Sequence, residues 1–353
     1  MSYRSFSFPS GVHSVAVAPF YEESVESQCD DVDWGKDCLP PTKTVLDLKM
    51  YEDYLENFLM LSSISGLVLL GTTTESPCLS KEEQIGLVNT AKTVTKNKLF
   101  LTAGIGGSNT LECIKMAIEL RGLCNGFMVT VPPYNKPVSR GMIAHCIACA
   151  GHDPTYRYLK GYSDLQNYPF MIYNIPSRTG VNMSPKEIVE VALKCPNVCA
   201  VKEASGNISQ VDELCQLTRD FENFKVFAGD DSMLLSTCSV GGHGVISVIA
   251  NAYPNEMTLL YKKCAEGKFS EGLELHNMLS PLIKAIFCET NPVPIKTLMC
   301  MNRLYEYPTV RLPMVKLSDE NYERLYKSKT QFEKNLKKYN DSRRSDFERK
   351  QYD

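Results

Sequence analysis

The sequence predicts an α/β fold, a (β/α)8 TIM barrel followed by a C-terminal helical domain. Eight short apolar runs, each bounded by glycine or polar residues, alternate with helical segments between residues 12 and 254. Eight such units in roughly 250 residues are typical of a closed barrel. From residue 255 onward the pattern is helical alone. An open, doubly wound sheet is the alternative topology for the same alternation.

The composition narrows the class of protein. The chain has 353 residues, of which 43% are hydrophobic, and a formal net charge of −3. This balance gives no argument for nucleic acid or a membrane surface as a partner. No run approaches the ~18 apolar residues of a membrane span, and residues 1–11 lack the apolar segment of a secretory signal. Fourteen cysteines, mostly in apolar segments, are interpreted as reduced thiols of a cytoplasmic protein.

The first strand is predicted at residues 12–19, where β-branched residues alternate with others. Residues 20–43 break this pattern with seven acidic residues and the single tryptophan, and we interpret them as an inserted surface loop. Thr44 is predicted to cap the next helix, with Asp47 three residues later as in a capping box. That helix is expected to run to about Ser63.

The remaining strands are short apolar runs that end in glycine or polar residues. They are predicted at residues 66–70, 99–103, 126–131, 170–173, 198–202, 225–228 and 244–248. Helix starts follow from Ser80 with Glu83 at the third position, and from Ser184 with Pro185 at the first. Residues 151–168 are polar, rich in tyrosine and irregular, which indicates a second insertion.

These observations predict four segments. They are an N-terminal segment (1–11), a barrel (12–254) with insertions at 20–43 and 151–168, a helical domain (255–330) and a charged, helical or disordered tail (331–353). The first insertion joins a strand to the next helix, so it is expected on the catalytic face as a lid or rim. The second joins a helix to a strand, so it is expected on the opposite face, in packing or assembly.

Lys202 is the most informative residue, because it ends an apolar run in which lysine is uncommon. Burial favours a neutral amine, which is a nucleophile toward carbonyl carbons. The plainer alternative is a strand-end lysine that reaches solvent or pairs with Glu203. Polar side chains also follow other predicted strands, and in a barrel all of these ends meet on one face. They are Thr72, Thr73, Tyr134, Tyr173, Arg178 and Asp230.

Together these residue types predict imine chemistry on a ketone. Lys202 would form the imine, and a chain of hydroxyls from Tyr173, Thr73 and Tyr134 would carry protons. Backbone amides near Thr72 and Thr73 would hold one carboxylate, and Arg178 a second. Each part also has a structural alternative: Tyr134 as a packing aromatic, Arg178 in a surface ion pair, and the threonines as helix caps.

The chemistry requires neither a metal nor a cofactor, and none is predicted. One Cys-x-x-Cys motif, Cys146 to Cys149, lies beside His145 and His152. A zinc site usually needs two such pairs, and the sequence contains no second one. Metal binding at this motif is therefore the less favoured interpretation.

Several motifs resemble those of the dihydrodipicolinate synthases, in the same order and with the same spacing apart from the two insertions. The motifs are GTTTES (71–76), VPPYNKP (131–137), YNIPSRTG (173–180), VKEASGN (201–207), GDD (229–231) and GGHGVIS (241–247). The resemblance covers roughly residues 12 to 320, and RLPM (311–314) matches near its end. Several independent motifs that agree are more specific than a single short one.

The resemblance implies a lyase of lysine and diaminopimelate biosynthesis. Pyruvate would form a Schiff base with Lys202 and condense with L-aspartate 4-semialdehyde to 4-hydroxy-tetrahydrodipicolinate. Tyr173, Thr73 and Tyr134 would relay protons, with Tyr134 reaching the partner subunit's site in a homodimer or homotetramer. The substrate-binding residues implied are Thr72, Thr73, Arg178, Gly229 and Ile246.

Two other functions stay open at this point. The first is a pyruvate-dependent aldolase of the same superfamily that acts on N-acetylneuraminate, a 2-keto-3-deoxy sugar acid or another 2-keto acid. The second is a binding or scaffold protein without activity, which is disfavoured because every residue of the relay is present.

The sequence departs from the family at two places. Thr74 stands where the family usually has glycine, so the carboxylate-binding loop is expected to differ in shape. The feedback site for L-lysine also differs: Lys81 and Gln84 replace histidines, Ser108 an asparagine and Pro133 a tyrosine, while Glu112 matches. We therefore predict that L-lysine does not inhibit at physiological concentrations.

Overall fold

The computed structural model describes residues 6–24 and 42–349. Eight parallel strands form a closed barrel, because β1 pairs with both β4 and β10. The open-sheet alternative is therefore wrong, and the predicted TIM barrel is confirmed. The barrel strands are β1 (Gly11–Val15), β4 (Gly66–Leu69), β5 (Phe100–Gly104), β6 (Gly126–Thr130), β7 (Phe170–Asn174), β8 (Val198–Glu203), β9 (Lys225–Ala228) and β10 (Gly244–Ser247).

The first strand is shorter than predicted. After Val15 the chain leaves the sheet, and side chains from elsewhere bind its carbonyl groups. Thr74 Oγ1 donates to the Ala16 carbonyl at 2.7 Å, and Tyr305 Oη donates to the Val17 carbonyl at 2.7 Å. Apolar patterning does not reveal that side chains have replaced a neighbouring strand here, because residues 16–18 are buried in either case.

A hairpin of two antiparallel strands, β2 (Phe20–Ser24) and β3 (Thr42–Leu46), occupies the ends of the first insertion. This corrects the prediction of an irregular loop; residues 25–41, including the proposed lid, lie outside the described residues. The Thr44 cap is also wrong, because Thr44 pairs with Glu22 within the hairpin. Asp47 caps the helix instead, accepting a hydrogen bond from Met50 N at 2.8 Å.

Helices surround the barrel and form the C-terminal region. They are α1 (Leu48–Asn57), α2 (Lys81–Thr95), α3 (Thr110–Glu119), α4 (Ser139–Cys149), α5 (Pro176–Thr179), α6 (Pro185–Lys194), α7 (Ile208–Thr218), α8 (Leu234–Ser239), α9 (Pro254–Ala265), α10 (Phe269–Ala285), α11 (Val293–Met301) and α12 (Asp319–Arg349). The predicted helix starts at Ser80 and Ser184 are confirmed, and each is a capping box, with Glu83 and Glu187 respectively. No helix within the described ranges is long and apolar enough to cross a membrane.

The barrel interior is filled by apolar side chains. Met128, Met171, Phe227 and Ile246 form a cluster that includes Tyr173, and Phe8 from the N-terminal segment belongs to it. A larger cluster occupies the layer between the strands and the helices. A polar group inside the barrel therefore lies in a medium of low polarity, which penalises its charged form.

The second insertion consists largely of short helical turns packed against the barrel. Tyr162 is buried, and its hydroxyl donates to the Ala148 carbonyl at 2.8 Å. Asn197 Nδ2, just before β8, lies within hydrogen-bonding distance of the carbonyls of Ala150 and Leu165. These contacts tie the insertion to the amino-terminal ends of the strands, opposite Lys202.

The C-terminal helix α12 continues without a break from Asp319 to Arg349. It crosses the predicted start of the tail at residue 331, and Phe332 and Tyr339 are buried against the rest of the protein. The final helix is thus longer and better anchored than expected. Residues 350–353 lie outside the described part of the chain.

Candidate active site

Lys202 lies at the carboxyl end of β8 and is only 5% exposed. It is in register with Tyr173 on β7 and Phe227 on β9, and its Nζ lies 4.0 Å from the centre of the Tyr173 ring. Glu203 points to the other face of the strand, as alternation along a strand requires. Its carboxylate accepts hydrogen bonds from Asn174 Nδ2 and Gln210 Nε2. The solvent-reaching and Glu203-paired alternatives for Lys202 are both wrong.

Burial lowers the pKa of Lys202 to about 7, because desolvation penalises the ammonium. The negative charge of Asp231 raises the pKa and the positive charge of Arg178 lowers it, but both effects are smaller. An ordinary lysine is neutral in only about one molecule in three thousand at pH 7. With a pKa of about 7, roughly half of the Lys202 side chains carry a free amine at that pH.

Asp231, just after β9, is a functional candidate that the sequence analysis missed. Its carboxylate is buried and accepts hydrogen bonds from Ser247 Oγ, Val248 N and Ile249 N. Burial raises the pKa of Asp231 to about 6, so it is mainly ionised at pH 7. The negative charge felt by Lys202 therefore comes from Asp231. Asp230, which the sequence favoured, accepts hydrogen bonds from Ser232 at the start of the following turn.

Tyr173 is buried beside Lys202, and burial raises the pKa of its phenol to about 12. The Arg178 guanidinium and a hydrogen bond with the Thr72 hydroxyl lower this pKa to a smaller extent. Thr73 has a different partner: its Oγ1 accepts a hydrogen bond from Asn291 Nδ2 at 2.9 Å. The structure thus brings Thr72 to Tyr173, and Thr73 to Asn291.

Residues Thr72–Thr74 form a single 3₁₀ turn after β4. Thr74 is buried, and the left-handed conformation falls on the next residue, Glu75, which has a φ of 57°. A glycine at position 74 is therefore not needed for backbone freedom. The Thr74 hydroxyl donates to the carbonyl of Ala16, which ties the turn to the chain after β1. The expected difference in shape from the relatives' loop stays a prediction.

An ion pair beneath this turn links it to the C-terminal region. Glu75 and Lys296 are both buried and form a salt bridge, and Lys296 Nζ also donates to the Thr309 carbonyl at 2.8 Å. Arg311 N donates to Glu75 Oε2 at 3.0 Å. The Phe20 ring lies under the Lys296 ammonium and the Arg311 guanidinium, with its centre 4.1 Å from Lys296 Nζ. The turn is thereby anchored from the C-terminal region and from the hairpin.

Arg178 lies in the short helix α5 after β7 and is exposed at the barrel mouth. Its Nη2 donates to the backbone carbonyl of Asn291 at 3.3 Å. The surface-ion-pair alternative is wrong among the described residues, since Arg178 forms no salt bridge with them. The guanidinium is held at one edge and its charge is not neutralised by a neighbouring carboxylate, which suits it to bind an anion.

Gly229 and Ile246 belong to the same end of the barrel. Ile246 is buried in the interior cluster that contains Tyr173. Gly229 N donates to the Glu203 carbonyl at 2.7 Å, and a Cβ at this position would lie 2.5 Å from Ala204 Cβ. Glycine is therefore required for the close approach of the two chain segments beside Lys202.

The sequence is similar to those of known enzymes. Residues 42–331 match the model of the dihydrodipicolinate synthetase family. The chain belongs to this family. It is 37% identical to 4-hydroxy-tetrahydrodipicolinate synthase of Methanosphaerula palustris, over 74% of this chain and 85% of the relative. For the synthase of Endomicrobium trichonymphae the identity is 31%, over 92% and 98% of the two chains.

Solved structures of the family share the fold. The synthase of Methylacidiphilum fumariolicum superposes with a TM-score of 0.80 at 31% identity, covering 93% of this chain and 97% of that one. The enzyme of Cyanidioschyzon merolae, solved with lysine bound, gives a TM-score of 0.77 at 26% identity, over 92% and 99%. The resemblance on which the sequence analysis relied is confirmed.

Tyr134, which the resemblance assigns to the proton relay, lies at the surface of the chain. It is 88% exposed, with a left-handed φ of 66°, in the loop between β6 and α4. The packing alternative within this chain is therefore wrong. A strained, exposed aromatic side chain is uncommon without a function.

The residues at the family's lysine-binding positions are engaged locally. Lys81 Nζ pairs with Glu119 at 2.9 Å, and Gln84 Nε2 lies within hydrogen-bonding distance of the carbonyls of Ser76 and Leu79. Ser108 Oγ donates to the Pro133 carbonyl at 3.1 Å. A cation at Lys81 would repel the ammonium groups of a bound lysine.

The Cys-x-x-Cys motif lies in α4, where Cys146, Cys149 and His145 are all buried. Burial raises the pKa of Cys146 to about 12, and His145 Nδ1 is hydrogen bonded to Thr110 Oγ1 at 2.9 Å. Within residues 6–24 and 42–349, no group of three or more potential ligands is arranged to hold a metal ion. The cysteines of this part of the chain are free thiols.

Proposed function

We propose that the protein condenses pyruvate with L-aspartate 4-semialdehyde to 4-hydroxy-tetrahydrodipicolinate. The observation that carries the proposal is the buried Lys202, whose pKa is lowered to about 7 and whose Nζ faces the Tyr173 ring at 4.0 Å. Membership of the dihydrodipicolinate synthetase family supplies the substrates. Among the solved relatives is a synthase of Acinetobacter baumannii complexed with pyruvate.

In the first half of the reaction, the Lys202 amine attacks the C2 carbonyl of pyruvate. The resulting carbinolamine loses water to give an iminium ion. This cation draws electrons from the neighbouring methyl group, which loses a proton to form an enamine. The ionised carboxylate of Asp231 stabilises the iminium charge, since its negative field already raises the pKa of Lys202.

In the second half, the enamine carbon attacks the aldehyde carbon and the new alkoxide takes a proton. The amino group of the semialdehyde then attacks the imine carbon, which closes the ring and releases Lys202. One water molecule leaves per product formed. Burial of Tyr173 keeps its phenol protonated at neutral pH, so the hydroxyl both donates and accepts during these transfers.

We assign the proton relay to Tyr173, Thr72 and Tyr134, in place of the predicted chain through Thr73. Thr72 is the hydroxyl that acts on Tyr173, whereas Thr73 Oγ1 is occupied by Asn291. Thr73 then binds the pyruvate carboxylate together with the amides of the 72–74 turn. Arg178 binds the carboxylate of the semialdehyde, and Gly229 and Ile246 line the site.

The exposed position of Tyr134 supports a homodimer or a homotetramer, in which Tyr134 reaches the site of the partner subunit. An isolated chain would hold this side chain in water, away from its own Lys202. We further propose that the enzyme acts in the cytoplasm.

Borohydride trapping tests the nucleophile. Pyruvate and borohydride are added to the enzyme, and the Lys202 peptide is examined by mass spectrometry. The expected result is a reduced pyruvate adduct on Lys202 and none in Lys202→Ala. An adduct that persists in Lys202→Ala contradicts the assignment.

A parallel assay tests the reaction. Pyruvate with L-aspartate 4-semialdehyde is expected to give the cyclic product. Cleavage of N-acetylneuraminate or a 2-keto-3-deoxy sugar acid, with trapping intact and no condensation, would instead favour the aldolase alternative.

A further inference from the structure

We propose that Asn291 recognises the α-ammonium group of the aldehyde substrate, and so makes the enzyme select an amino acid aldehyde. Its side-chain Oδ1 accepts a hydrogen bond from that ammonium, while its backbone carbonyl holds Arg178, which binds the carboxylate on the same carbon. The proposal deepens the proposed function and rests on it.

Asn291 enters the site from the C-terminal region, between α10 and α11. It contacts both groups assigned to carboxylate binding: Nδ2 donates to Thr73 Oγ1 at 2.9 Å, and the backbone carbonyl accepts from Arg178 Nη2 at 3.3 Å. These two residues come from the ends of different strands, β4 and β7. Asn291 therefore bridges the two anion-binding sides of the barrel mouth.

The remaining polar atom of this side chain is unused. Asn291 is only 7% exposed, and its Oδ1 is buried with no hydrogen-bond partner in the described part of the chain. Buried amide oxygens ordinarily have a donor. Because Nδ2 and Oδ1 are attached to the same carbon, the bond to Thr73 also fixes the position of Oδ1.

The amide orientation agrees with the chemistry on both sides. With Nδ2 donating to Thr73 Oγ1, the Thr73 hydroxyl proton is free to donate to the pyruvate carboxylate. Oδ1 is an acceptor, so it suits an ammonium and cannot bind a second carboxylate. The ammonium and carboxylate of an α-amino acid share one carbon, so their partners must be neighbours. Asn291 Oδ1 and Arg178 meet that requirement.

The charged groups nearby are otherwise engaged. The Asp231 carboxylate is bound by Ser247 and two backbone amides, and Asp230 accepts hydrogen bonds from Ser232. Glu75 is paired with Lys296. The acceptor that we propose beside Arg178 is the neutral amide of Asn291.

The test compares L-aspartate 4-semialdehyde, the substrate, with succinate semialdehyde, which lacks the ammonium group. Succinate semialdehyde is used as a competitive inhibitor at saturating pyruvate. The readout is the ratio of the inhibition constant of succinate semialdehyde to the KM of L-aspartate 4-semialdehyde. This ratio cancels changes in Arg178 or in pyruvate binding, which affect both compounds equally.

In Asn291→Leu, which keeps the size of the side chain but removes the acceptor, the ratio is expected to fall by about tenfold. In Asn291→Asp, which keeps an acceptor and adds a negative charge, the ratio is expected to equal or exceed that of the unchanged enzyme. An unchanged ratio in Asn291→Leu overturns the proposal. So does a fall in Asn291→Asp, which stands as a test by itself if the leucine variant does not fold.

Failure of the proposed function would give a different experimental result from failure of the Asn291 inference. In that case the unchanged enzyme traps pyruvate on Lys202 but gives no product with L-aspartate 4-semialdehyde. Failure of the Asn291 inference leaves condensation by the unchanged enzyme intact. It is seen only in the variants, as an unchanged ratio in Asn291→Leu or a lowered ratio in Asn291→Asp.

Discussion

The proposed chemistry depends on one amine that is held out of water. Lys202 would ordinarily be an ammonium at neutral pH, and the barrel interior changes that by withholding solvent. Two neighbouring charges have smaller effects on the pKa of Lys202: the Asp231 carboxylate raises it and the Arg178 guanidinium lowers it. In the proposed reaction the same Asp231 would then face the iminium ion, so one carboxylate would act before and after the covalent bond forms.

A pH profile checks the state of Lys202. The reactive form is the neutral amine, and its pKa is lowered from 10.5 to about 7. The value of kcat/KM for pyruvate is therefore expected to rise with pH through about 7 and to level off above pH 8. The measurement is kcat/KM for pyruvate between pH 5 and about 10. A rise that continues toward pH 10 would show that Lys202 is solvated.

The roles of the two threonines are separable. Thr72→Val removes the hydroxyl that acts on Tyr173 and is expected to lower kcat by about a hundredfold, with little change in the KM for pyruvate. Thr73→Val removes the hydroxyl that Asn291 contacts and is expected chiefly to raise the KM for pyruvate. Steady-state kinetics of the two variants provide the check. The reverse pattern would return Thr73 to the relay.

At the scale of elements, the 72–75 turn is the part that most needs support. It follows β4 directly, its last residue adopts a left-handed conformation, and it carries Thr72 and Thr73. The support comes from the buried Glu75–Lys296 pair and from Arg311. A turn held in this way keeps its amides oriented before the substrate arrives.

The Glu75–Lys296 pair is expected to be costly to break. Lys296→Met leaves the buried Glu75 without its ion-pair partner and should reduce the free energy of unfolding by about 3–5 kcal/mol. The matched control is Lys81→Met, which breaks the exposed Lys81–Glu119 pair and should cost about 1 kcal/mol or less. Urea unfolding measures both. Equal losses in the two variants would mean that the buried pair stabilises the fold no more than the exposed pair does.

The start of α2 and the loop that contains Pro133 bear on feedback control. If L-lysine bound at the position implied by the resemblance, the positive charge of Lys81 would repel its ammonium groups. Lys81 pairs with Glu119, and Ser108 Oγ donates to the Pro133 carbonyl. We expect no inhibition by L-lysine at physiological concentrations. A titration of the condensation reaction provides the measurement, and inhibition in the sub-millimolar range would contradict the prediction.

At the scale of the whole molecule, the role proposed for Tyr134 would connect catalysis to assembly. The side chain is 88% exposed, and its backbone has a left-handed φ. A symmetric dimer would apply the same contact twice, so each subunit would complete the site of the other.

Mixing two impaired variants tests this arrangement. Lys202→Ala supplies Tyr134 without the nucleophile, and Tyr134→Phe supplies Lys202 without the phenol. If Tyr134 acts in the partner's site, each hybrid dimer holds one complete site. A random equal mixture should then recover about a quarter of the activity of the same amount of unchanged enzyme. The assay is condensation rate after joint refolding. No recovery would place Tyr134 outside the partner's site.

Much of the fold could be predicted from local pattern. The eight barrel strands and the capping boxes at Ser80 and Ser184 depend on residues within a few positions of one another. The β2–β3 hairpin could not, because the acidic residues between its strands resemble a solvated loop. Thr44 satisfies the capping pattern equally well, and only pairing with Glu22 decides against it.

Some features of the candidate site could likewise be predicted from local sequence, and others could not. The sequence by itself determined the barrel, the family and the strand ends at which Lys202, Tyr173, Thr72 and Arg178 lie, because periodicity and motif spacing are local properties. The tertiary structure alone decided which groups meet: Thr73 and Asn291 are 218 positions apart, and the pKa of Lys202 follows from burial and from Asp231. Desolvation and charge act through space, so their effect on Lys202 exists only once the barrel has closed.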